Sequence, residues 1–170
     1  MAASRPRARL SHSLAHFTIE RATISNAQRT DAPLVWRYEF EADHYANNVG
    51  DLWLVRPRVF GTYTGFRPDE KKPRVHPIEL GAAESNQETF EIALPRGFVV
   101  DELPAAVNLD LGFASYRSAV ESRGNVLRYS RALELRELEV PAARAKELDR
   151  LFREIEADER QLVVLKRSSS

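Results

Sequence analysis

"LVWRYEFEA", residues 34 to 42, alternates without a break. Leu34, Trp36, Tyr38 and Phe40 fall on one face of an extended chain, and Val35, Arg37, Glu39 and Glu41 on the other. A period of two with one wet side predicts a strand of an antiparallel sheet. The chain before it reads the same way, with Phe17, Ile19 and Arg21 of "AHFTIERATI" expected on one face. "NAQRTDAP" supplies a polar, turn-rich connection between the two.

Downstream, short strands recur between turn signals. "DLWLVRPRVF" places Leu52, Leu54 and Val59 inward, and Pro57 inside it predicts an edge strand or a bulge. "ETFEIALP" alternates Phe90, Ile92 and Leu94 and stops at Pro95, and "GFVVDELP" stops at Pro104 in the same manner. "FASYRSAVES" and "VLRYSRALELREL" flank Arg123-Gly124-Asn125, a hairpin signal because Gly and Asn tolerate positive φ. One segment changes period. Pro141 suits a first helical position, and Leu148, Leu151, Phe152 and Ile155 recur at steps of three and four. "QLVVLKR" breaks that period and predicts a last strand.

These elements predict a mainly β fold, an antiparallel β-sandwich of about eight strands with one C-terminal α-helix followed by a last strand. Residues 1–13, rich in Arg, Ser and Ala without periodicity, read as a disordered arm or a boundary. Residues 14–167 read as a single sandwich domain and 168–170 as a tail. A chain of 170 residues is long enough to bury a core as one domain.

Composition removes several functions. Twenty-five basic residues balance 25 acidic ones, so no global field favours nucleic acid or an anionic membrane. There is no cysteine, hence no disulfide, no thiolate nucleophile and no Cys-based metal site. No apolar run reaches the roughly 18 residues of a membrane span, and no secretory signal is legible.

No constellation of residues points to catalysis. No Gly-x-Ser-x-Gly elbow occurs, and the glycines match no phosphate-cradling loop. His44 alternates out of the face shared by Glu41 and Asp43, which argues against a metal site. Asp101 and Glu102 are adjacent on a strand and face opposite sides, so they cannot flank one glycosidic bond. No cofactor, metal or catalytic residue is therefore assigned. The sharpest binding signal is a basic stretch, Arg56, Arg58, Arg67, Lys71, Lys72 and Arg74, interleaved with Phe60, Tyr63 and Phe66. Basic groups contact phosphate and aromatic rings stack on bases. Within it, "KKPRVHPIEL" (71–80) holds Lys72 and His76 before prolines, which biases both toward extended backbone. The segment reads as a stiff lead-in to a sheet edge, with Arg74 and His76 on one face and able to bind a carboxylate. An edge at 50–60 or 71–80 would allow strand pairing between copies.

The order of segments across residues 17–166 is familiar. "YEFEADHYANNVGDLWLVRP", "KKPRVHPIEL", "ETFEIALPRGFVVDELP", "YRSAVESRGNVLRYSRALEL" and "VPAARAKELDRLFREIEADERQLVVLK" follow one another. In this order they resemble the C-terminal β domain of bacterial transglutaminase-like proteins that also carry an N-terminal β domain of unknown function. The resemblance implies an exported setting, periplasmic or extracellular, reached as part of a longer precursor. It implies a Cys–His–Asp site in the neighbouring transglutaminase-like domain, none of which this cysteine-free chain supplies. The expectation is a non-catalytic accessory or interaction module, with that adjacent domain or another protein as partner. The alternative is a freestanding module using the basic-aromatic loop 56–74 for polyanions or a protein partner.

Overall fold

The computed structural model describes residues 14, 16–61 and 74–168. The expected class is the observed one: mainly β, all sheets antiparallel, one late helix and a strand after it, with no closed barrel. Twelve strands are present among the described residues rather than about eight. The additional ones are short, two to four residues each, below the length at which alternation is visible in sequence. The described residues fall into two compact units, one within Met1–Asn47 and Val59–Gly61, the other within Asn48–Arg58 and Thr62–Ser170.

The first unit is a hairpin of β1 (Phe17–Ser25) and β2 (Val35–Ala42). Trp36, Tyr38 and Phe40 share a face as expected, and Ile24, Ala22 and Ile19 stand opposite them across the ladder. Arg21 does not join Phe17 and Ile19. A bulge between Ile19 and Arg21 inserts one residue, so that Arg21 pairs with Glu39 on the charged face, its Nε 3.8 Å from the carboxylate. The bulge flips the side-chain parity, which strict alternation could not foresee.

In the second unit, β3 (Asn47–Val49), β4 (Leu52–Val55), β7 (Phe98–Glu102) and β12 (Val163–Arg167) form one sheet, ordered β3-β4-β12-β7. Pro57 does not lie in a strand. β4 ends at Val55, and it is an inner strand, with β3 on one side and β12 on the other. The proline terminates the strand rather than demoting it to an edge. Val55, Val163 and Leu165 are buried, and Trp53 packs on Phe98 with ring centroids 4.2 Å apart.

A second sheet is ordered β6-β10-β9-β8, from β6 (Glu84–Ala93), β8 (Val107–Asp110), β9 (Ala114–Arg123) and β10 (Val126–Leu135). β9 and β10 meet at Gly124-Asn125, where Gly124 adopts φ +60°, the first-position geometry of a primed hairpin turn. The "PIEL" segment contributes β5 (Ile78–Glu79), which pairs with β11 (Glu139–Val140) in a two-stranded ladder.

After Pro141 a 3-10 turn (Ala142–Arg144) leads into α1 (Ala145–Glu159). The stripe read from sequence, Leu148, Leu151, Phe152 and Ile155, is buried as one face. It packs with Leu109, Phe113, Tyr116, Leu133 and Leu135 of the second sheet and its turns, and with Ile78 and Val140 of the short ladder. Arg144 fastens the start of the helix. Its guanidinium grips Glu147 at 2.9 and 2.8 Å, donates to the Leu111 carbonyl at 2.6 Å and lies 4.6 Å from the Phe113 ring centre.

Candidate functional site

The residues singled out in the sequence do not form one cluster among the described residues. Arg67, Lys71 and Lys72 lie outside the described residues. Arg56, Arg74 and His76 are exposed. Arg58 is buried, and its guanidinium is directed at carboxylates of its own unit.

That burial leads to the densest group of ionisable side chains in the described structure. On the inward face of the second sheet, strand pairing sets Glu88, Arg131 and Ser118 in one row across β6, β10 and β9. Tyr129 and Tyr116 flank this row, two residue pairs to either side along the ladder. The last turn of α1 brings Asp158 and Glu159 onto the same face. Asp158 Oδ2 accepts hydrogen bonds from Tyr116 at 2.6 Å and Tyr129 at 2.7 Å, and Oδ1 accepts one from Ser118 at 2.6 Å. Glu159 accepts from Arg131 Nη1 at 3.0 Å and from Arg58. Glu88 binds Arg58 through Nε at 3.2 Å and Nη2 at 3.1 Å. The Arg131 guanidinium also lies 5.3 Å from the centre of the Tyr116 ring. Its Nε, 3.6 Å from Glu88, makes an ion-pair contact too long for a hydrogen bond.

The local cost of this arrangement is legible in the helix. A carboxylate in the last helical turn opposes the negative end of the macrodipole, and no basic residue stands in that turn. Asp158 and Glu159 are also buried, at 6 and 9 % exposure. A buried ion without partners is costly, so three hydroxyls and two guanidinia must answer the three carboxylates. Burial, reinforced by the Asp158 contact, pushes the Tyr116 hydroxyl well above the ordinary tyrosine range. Tyr129 is raised in the same way, first by burial and then by its Tyr116 and Asp158 contacts. Both hydroxyls therefore act as donors, not as bases.

Sequence reasoning missed this cluster, yet each element carried a sign of it. Arg131 sits in the inward register of Leu127, Tyr129, Leu133 and Leu135, and Glu88 in that of Phe90 and Ile92. Asp158 and Glu159 continue the helical stripe three and four residues beyond Ile155. A charge in an apolar register, repeated on three elements, is the signal that they meet.

A smaller group holds the turn between β8 and β9. Arg136 grips Asp110 at 2.9 and 3.2 Å and reaches Ser115 Oγ at 3.0 Å, while Asp110 also accepts from the Gly112 amide at 2.9 Å. The Arg136 guanidinium, with help from that amide, holds the Asp110 carboxyl down at about 2. No group of three or more His, Asp or Glu side chains with metal-binding geometry occurs among the described residues. No helix among them is long and apolar enough to cross a membrane.

No curated protein and no solved structure matches the chain. A protein family does, over residues 51–165, which is more than half of the sequence and takes in the second sheet, the helix and most of the last strand. By that match, the chain belongs to DUF3858, a Domain of Unknown Function.

Proposed function

We infer that the chain is a non-catalytic accessory module of a transglutaminase-like protein that works outside the cytoplasm. Its role is to pack against, shield or position a neighbouring domain. The observation that carries this reading is the direction of the chemistry-bearing groups. Asp158, Glu159, Glu88, Arg58, Arg131, Tyr116, Tyr129 and Ser118 are turned inward and spent on one another. A general acid or base must come within hydrogen-bond reach of a reacting atom. Here those reaches are filled by side chains of the same chain. The lack of cysteine supports the reading as well, since transglutaminase-type acyl transfer needs a thiolate from elsewhere. Family membership supplies a fold and no activity, and fold by itself never assigns one.

The test uses the purified chain and the transglutaminase-like domain expected to be encoded in frame with it. Sedimentation and calorimetric titration should show a stoichiometric complex, with acyl-transfer activity in the partner alone or in the pair. Hydrolase or transferase activity in this chain by itself would overturn the reading. So would failure to associate combined with salt-sensitive binding of heparin or DNA, which would transfer the function to the loop 56–74.

A further inference from the structure

The second unit gives up its chain to the first between Arg58 and Val59. At that crossing the backbone belongs to no strand or helix, yet Pro57, Arg58 and Val59 are all buried. β4 has ended at Val55, so ladder bonds no longer hold the chain. Within the second unit the Arg58 guanidinium ties it to two distant elements. Arg58 joins Glu159, at the end of α1, to Glu88, on β6, and is 7 % exposed. Its partners lie 101 and 30 residues away in sequence.

We propose that the Arg58–Glu159–Glu88 triad is an ionic latch that fixes where the chain leaves the second unit, and that it opens locally without unfolding the sheet beneath. The geometry supplies both parts of this. Arg131 has its own hydrogen bond to Glu159 and its own ion-pair contact with Glu88, so both carboxylates keep a guanidinium partner when Arg58 withdraws. Asp158 keeps its three hydroxyl donors, because none of them involves Arg58. The Asp158 bonds on the sheet side are therefore independent of Arg58, and Arg131 meets the same Glu159 and Glu88 oxygens from the sheet. A planar, forked guanidinium makes such a two-carboxylate bridge, whereas a lysine ammonium is a point charge and bridges less well.

Native-state hydrogen exchange of the full chain, read by fragment mass spectrometry, tests this. In R58M the amides of the segment 54–60 should exchange at least tenfold faster, while those of β9 and β10 keep their wild-type rates. R58K should fall between the two. E159Q, which keeps its shape and loses its charge, should also speed the 54–60 segment. Unchanged exchange at 54–60 in R58M would overturn the latch. A uniform rise across all fragments would overturn it too, because the triad would then be holding the whole unit and not its exit.

Discussion

Two regions of this molecule carry the same alternating pattern and use it differently. In the hairpin β1–β2, Trp36, Tyr38 and Phe40 reach only partial burial, and Ile24 and Val35 remain 42 and 44 % exposed. In β9 and β10, equally regular alternation ends in Tyr116, Leu127 and Ala114 fully enclosed. Two strands offer one ladder and a narrow surface, and a lone hairpin is marginal in water. Four strands under a helix make a dry face. Among the described residues, Arg131, Asp158 and Glu159 are buried charges in an apolar register, and they lie on the dry face, where partners answer them. Alternation establishes which side is apolar. The number of neighbours establishes whether that side is a core.

The difference can be broken most forcefully at Arg131. R131M leaves Glu159 with one guanidinium fewer in a buried site, and should cost about 3–5 kcal/mol in urea unfolding. A loss below about 1 kcal/mol would mean that water reaches the carboxylates, and the two regions would differ less than their burial suggests.

Two tyrosines sharpen the contrast. Y129F removes a 2.7 Å bond to a buried carboxylate and should cost about 1.5–3 kcal/mol. Tyr38 in the hairpin has a buried hydroxyl without a hydrogen-bond partner among the described residues. Y38F should therefore leave stability unchanged or raise it. The raised hydroxyls also set a pH dependence. An unfolded tyrosine loses its proton near pH 10, whereas Tyr116 and Tyr129 hold theirs to higher pH. Their contribution is present below about pH 10 and is lost as pH rises through that value toward the folded ones. Absorbance titration at 295 nm should show these two of the five tyrosines ionising only as the chain unfolds.

Gly124 tests the hairpin that begins the dry face. Space around it is open, and only its φ of +60° opposes a side chain, so G124A should cost about 1–2 kcal/mol. The smallest effect is at Asp110, on the surface. Its carboxyl is held at about 2, below the ordinary 3.8, so its contribution is present above pH 4 and fades as pH falls toward 2. D110N should lower Tm slightly at neutral pH and leave it unchanged at pH 2.

Much of this fold was legible in the sequence because the signals were local. The Gly124 hairpin and the Leu148-to-Ile155 stripe each depend on residues within one turn or one helix, whereas Pro141, read as a first helical residue, has extended backbone and caps the 3-10 turn ahead of α1. The missed features depend on distance. Arg21 changes face through a bulge that one extra residue creates, and Pro57 ends a strand made inner by β12 from the far end of the chain. Arg58 carried the charge of a surface binder. Its role depends on Glu159, 101 residues on, which alternation in either segment does not reveal. The basic stretch from Arg56 to Arg74 was read as one surface, yet the structure turns one of its arginines into the core.

The central claim is that the charges beneath α1 are committed to one another rather than available to a substrate. A double-mutant cycle of R131M, E159Q and the double variant in urea tests it most directly. The account predicts strong non-additivity, a coupling of about 1–3 kcal/mol, because each single change leaves the other buried charge with one partner fewer, a loss the double change does not repeat. Additive losses would contradict it, and would mean that Arg131 and Glu159 answer to something other than each other.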